Sequence, residues 1–159
     1  MKWKKYLLVF TFLIFCVCFS LSAQNLKIYF LDVHQGNGVV VITPNKKVLV
    51  DDCNSGYDNK VISTLSNEGI TTITQIIATH PDNDHMGGLD NVINNFTGTI
   101  YNCYDNGHSY PTDSDYTAWT NAIASNGLNH LALKTNDEIV LDSAAGVTYR
   151  CLASDGYVI

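Results

Sequence analysis

His80-Pro81-Asp82-Asn83-Asp84-His85 sets two imidazoles and two carboxylates within six residues, and the segments flanking it decide the fold class. Ile73 to Thr79, just before it, is a β-branched run that predicts a strand; Leu89, Val92, Ile93 and Phe96, just after it, recur at helical spacing. A polar hexad between a strand end and a helix start holds side chains in a fixed frame while leaving them exposed, as α/β layers do. Pro81 stiffens the loop, and Gly87-Gly88 let the next helix approach closely.

His80, Asp82, Asp84 and His85 are accordingly candidate metal ligands. This donor set suits one or two divalent ions, Zn first, with Mn or Fe as alternatives. Metal-activated water attacking an ester, amide or phosphodiester centre is the chemistry such a site supports, and Asp84 is the catalytic candidate, orienting the water while ligating. In a plainer reading the loop is solvated and Asp84 merely caps the helix carrying Leu89. That accounts for one acid and leaves two histidines around two acids unexplained. One loop rarely fills two coordination spheres, so further donors are expected elsewhere. His34, His108 and His130 are weaker candidates. Asp51 is a candidate acceptor behind a ligating histidine, with Asp52 as its solvated neighbour, while Cys53 reads equally as a zinc ligand or a small buried thiol.

Working outward, Leu26 to Leu31 predicts a short, mostly buried strand ending at Asp32-Val33, and His34 to Gly38 a glycine-bearing turn. Val39 to Ile42 and Val48 to Val50 complete an antiparallel meander that closes on Asp51. A helix from about Asn59 to Asn67 stops at Gly69. Beyond the hexad and its helix come a strand near Thr99 to Cys103 and a helix through Tyr116, Trp119 and Ile123, capped by Asp113 or Ser114. Short strands are predicted at His130 to Leu133, Ile139 to Leu141 and Val147 to Leu152.

The chain of 159 residues has room for one domain with a real core. Lys2, Lys4 and Lys5, the apolar run Tyr6 to Leu21 and the small residues to Ala23 read as a signal peptide over residues 1–23, with a retained membrane anchor as the alternative. Residues 24–159 are then a secreted or periplasmic domain without stable membrane association. The mature part holds six Lys and Arg against fifteen Asp and Glu. Nucleic acid could serve as substrate only with metal supplying the positive charge, because no basic binding patch is available. Cys53, Cys103 and Cys151 make no disulfide framework.

His80-Pro-Asp-Asn-Asp-His-Met-Gly-Gly88 resembles the metal-binding signature of the metallo-beta-lactamase superfamily, in the version of the ComEC/Rec2-like competence-protein hydrolase domain. Phe30-Leu-Asp-Val-His-Gln-Gly-Asn-Gly38 resembles that group's opening, and Val48-Leu-Val-Asp-Asp-Cys53 its acid-bearing strand end. The resemblance implies an αββα sandwich, with His80 and Asp82 at a first metal position, Asp84 and His85 at a second, and Asp51 behind the cleft. It also implies hydrolysis of a small-molecule or phosphodiester substrate. His34, Asn37, Asp52 and Cys53 depart from the group, which has Gly, Asp, Gly and Gly there. Later ligands of the superfamily find no match after Arg150, so the chain is expected to supply roughly the first half of the domain, truncated at its C-terminus or completed by a partner chain. A secreted metal- or ligand-binding module without turnover is the alternative.

Overall fold

A computed structural model describes residues 26–154 and the backbone of 157–158; the signal-peptide segment 1–23 lies outside the described residues. Six strands form one mixed sheet in chain order: β1 (Lys27–Phe30), β2 (Val39–Ile42), β3 (Lys47–Val50), β4 (Thr72–Ile77), β5 (Thr99–Asp105) and β6 (Asn129–Ala132). The first three pair antiparallel, which two short turns allow, and β3 to β6 pair parallel. Parallel neighbours need crossovers. These carry α1 (Asp58–Asn67), then α2 (Asn83–Met86) with α3 (Leu89–Asn95), then α4 (Ser114–Ser125).

The helices cover one sheet face. Val61 and Leu65 of α1, Leu89 and Val92 of α3 and Trp119 of α4 close over Val40, Leu49 and Ile76, all essentially without solvent contact. Each such aliphatic side chain contributes about 1.5–3 kcal/mol relative to exposure. Asp113, not Ser114, caps α4, its carboxylate accepting from the Tyr116 N–H.

On the opposite face, Val41, Val48, Val50 and Ile77 pack against Leu141 and Ile139 of a hairpin, β7 (Glu138–Asp142) with β8 (Val147–Arg150). A final two-stranded pair joins β9 (Ala153–Ser154) to β10 (Tyr157–Val158). The hairpin covers only the middle of that face. Ile28 and Phe30 of β1 align with Val41 and Val39 but remain exposed, Phe30 at 81%. The expectation of a mostly buried first strand is thus corrected: β1 is an edge, with Tyr29 facing the helix-side core and Ile28 and Phe30 beyond the hairpin's reach. Leu131, on the other edge strand, is exposed as well. Among the described residues no helix is long and apolar enough to cross a membrane.

Candidate metal centre

The hexad leaves β4 at the end where the parallel strands finish. Its last three residues, with Met86, wind into the single turn α2, tied to α4 by Asn83 Nδ2 donating to Asp115 at 2.9 Å. Gly88 lets this turn lie against the β3 end: a Cβ there would come within 2.7 Å of the Asp52 carbonyl and carboxylate oxygens. The Asp52 N–H in turn donates to the His85 carbonyl at 2.8 Å. Neither Asp82, at the N-cap of α2, nor Gly88, at the N-cap of α3, makes a side-chain cap bond. The plain capping role weighed for Asp84 is therefore absent from α3.

Asp51 lies beneath the loop, fully buried, directly after β3 at φ +55°. Oδ1 accepts from the Thr79 N–H at 2.7 Å, while Oδ2 accepts from the Thr79 hydroxyl at 2.8 Å, His85 Nδ1 at 2.8 Å and Asn37 Nδ2 at 3.2 Å. Four donors satisfy a carboxylate that would otherwise be costly to bury. They also decide both histidine tautomers. His85 gives its Nδ1 proton to Asp51. Thr79 has spent its one hydroxyl proton on Asp51, so at 2.9 Å it accepts from His80 Nδ1. With Nδ1 engaged in this way, Nε2 is the ring nitrogen each imidazole has available for a metal.

His80 Nε2 stands 3.6 Å from Asp82 Oδ2, and His85 Nε2 stands 4.0 Å from Asp84 Oδ2; the two rings lie 3.9 Å apart. Two donors on one tetrahedral zinc are roughly 3.4 Å apart, given bonds of about 2.0–2.1 Å. Each His–Asp pair thus stands near the spacing of two donors on one ion. Among the described residues no three His, Cys, Asp or Glu side chains converge tightly enough to hold an ion alone.

Other sequence candidates fall elsewhere. Asp52 is not solvated but fully buried, because Gly88 seats the loop upon it; its Oδ1 accepts from the Cys53 thiol and its Oδ2 has no hydrogen-bond partner. Burial, reinforced by the charges of Asp58, Asp90 and Asp51, pushes its carboxyl up to about 8. Cys53 is the buried thiol, held protonated by desolvation and by Asp52. His34 stacks on Tyr57, and His108 on Tyr110. His130 pairs with buried Asp105 at 2.7 Å, a bond that raises its pKa. Asp32, 92% exposed, meets Lys60 rather than the site. Thr79 and Asn37 are the contributors that ligand spacing could not reveal, since neither ligates. A cavity of about 290 Å³ opens beside the loop, lined by Thr79, Asp105, Asn106, Tyr149 and Ser154 among others.

The family model described as the metallo-beta-lactamase superfamily matches residues 31–148, from just after β1 through the other five sheet strands and the hexad to the start of β8. The chain belongs to the metallo-beta-lactamase superfamily. Its mixed sheet with covering helices agrees with a metallo-beta-lactamase from Cronobacter sakazakii, solved as a motif mutant, at 13% identity and TM-score 0.50 over 72% of this chain and 47% of that one. A metallo-beta-lactamase-type protein of Thermotoga maritima is similar at 20% identity and TM-score 0.48, over 74% and 62%. The Pseudomonas aeruginosa metallo-beta-lactamase FIM-1, solved in a mono-zinc form, gives 16% and 0.42, over 75% and 50%. The chain spans between about half and three-fifths of these solved structures. No curated protein matches the sequence. Members of the superfamily usually bind divalent metal, often zinc.

Proposed function

We propose that this chain carries the metal-binding part of an exported hydrolase acting on a phosphodiester or other ester. The observation that carries the reading is the pair of Nε2 atoms standing 3.6 and 4.0 Å from Asp82 and Asp84, with each Nδ1 engaged by Thr79 or Asp51. In this reading His80 and Asp82 hold one zinc ion, Asp84 and His85 a second, with manganese or iron as substitutes, and Asp51 orients His85 from behind. The bound ions would supply acidity to water and a counter-charge for the reacting centre. Asp84 orients the attacking water, and its 29% exposure leaves it accessible to solvent.

The resemblance of three motifs to the competence-protein hydrolase domain favours a phosphodiester over a lactam, and the signal-peptide reading of residues 1–23 favours action outside the cytoplasm. With the chain this acidic, the ions themselves would have to attract a phosphate backbone. The test is hydrolysis of bis(p-nitrophenyl) phosphate by the zinc-loaded full chain. Asp84→Ala combined with His85→Ala should abolish turnover, and full activity in that double variant would sink the proposal.

The absence of three converging ligands among the described residues favours a second reading, a secreted metal- or ligand-binding module without turnover. Stoichiometric zinc uptake with no hydrolysis of phosphodiester, lactam or thioester would select it.

A further inference from the structure

We infer that Asn37 is a positioning residue of the metal loop, acting on both Asp84 and His85 from the opposite side of the site. Its role rests on the metal-site reading. Asn37 lies in the turn between β1 and β2, far from the hexad in sequence, yet it makes three separate connections there. Its N–H donates to the Asp84 carbonyl at 3.1 Å, and its own carbonyl accepts the Cys53 N–H at 3.0 Å. Its side-chain amide donates to Asp51 Oδ2 at 3.2 Å, the same oxygen that holds His85 Nδ1. One residue therefore joins the β1–β2 turn, the β3 end and the hexad.

Gly36 shows how closely this turn grips the loop. It adopts φ +104°, and the Cβ it lacks would fall 1.8 Å from the Asp84 carbonyl oxygen. The backbone of Gly36 and Asn37 thus fixes where Asp84 sits along the loop. The Asn37 amide performs a separate task. Because Asp51 Oδ2 faces three donors, removing the Asn37 amide leaves Thr79 as its one other anchor beside His85, and the support behind the His85 ring loosens. The group that this sequence resembles has Asp here, whereas in this chain the asparagine amide donates to Asp51 Oδ2 at 3.2 Å, a bond that an ionised carboxylate could not make. Residues that hold a ligating histidine from behind typically change metal affinity by roughly 10–100-fold when removed.

The experiment compares the full chain with Asn37→Ala and Asn37→Asp, the latter retaining shape and both backbone bonds while losing the donor. Two readouts are taken: zinc affinity by competition with a chromophoric chelator, and the His85 Nδ1–H signal in ¹⁵N-histidine NMR of the metal-free protein. Both variants should bind zinc at least tenfold more weakly than the parent, and their His85 Nδ1–H should exchange at least tenfold faster, with signals from the Glu68–Gly69 turn, before the start of β4, unmoved. Zinc affinity within twofold of the parent in Asn37→Asp, with an unchanged His85 signal, would overturn the inference. If the parent itself takes up no zinc while the His85 signal still weakens in both variants, the positioning of His85 by Asn37 is upheld and the metal reading alone fails.

Discussion

Thr79 precedes the hexad and ligates nothing, yet it relays Asp51 to His80 through a single hydroxyl. Thr79→Val keeps the shape and the backbone N–H bond but breaks that relay, so zinc affinity should fall roughly tenfold or more while Thr79→Ser stays near the parent, as measured by chelator competition. Asp52 makes a different prediction. Its carboxyl is pushed up to about 8 from an ordinary 3.8, so the folded chain retains a proton that the unfolded chain gives up. Stability is then fully present below about pH 4 and is lost as pH rises through about 8. Asp52→Asn has no such group. Its melting temperature relative to the parent should rise between about pH 5 and pH 8 in chelator and level off above that, and a constant difference from pH 5 upward would show that Asp52 is ionised in the folded state throughout. The hexad could be read as a ligand set because four metal-binding side chains so close together are chemically distinctive. The burial of Asp52 could not, because a second acid after a strand usually faces water.

The site is assembled by turns rather than by long elements. The β1–β2 turn, the β3 end and α2 meet through backbone bonds, and Gly36 and Gly88 are where close approach leaves no room for a side chain. Gly36→Ala must relieve a positive φ and a contact with the Asp84 carbonyl together, so it should destabilise the chain by about 1–3 kcal/mol in urea unfolding and weaken zinc binding as well. A variant with parental stability and affinity would mean that the turn can leave Asp84 without cost. Strand and helix identities were legible from period and β-branching: α1, α3, α4 and the six sheet strands lie close to where the residues predict them. The exposure of β1 was not legible. Alternation shows that a strand has two faces, but not how far a distant hairpin extends over one of them.

At the scale of the molecule, one face of the sheet is closed by helices and the other is covered only in its middle, with Ile28, Phe30 and Leu131 left in solvent. The loop sits at the ends of the parallel strands, so an ion bound there ties the β3 and β4 ends to α2. Binding to the folded form alone stabilises it by about 2.7 kcal/mol at a hundredfold excess over the dissociation constant. Zinc should therefore raise the melting temperature by several degrees and EDTA should return it; an unchanged melt would show that the loop takes no metal. By itself the sequence determined the strand–hexad–helix order and the identities of the four candidate ligands, because periodicity and donor chemistry are local. Only the tertiary structure decided which partner each imidazole Nδ1 meets, that Asn37 and Thr79 serve Asp51, and that Asp52 is buried. The physical reason is separation along the chain. The bonds to Asp51 come from residues 14, 28 and 34 positions away, and no local pattern encodes a meeting that the sheet alone brings about.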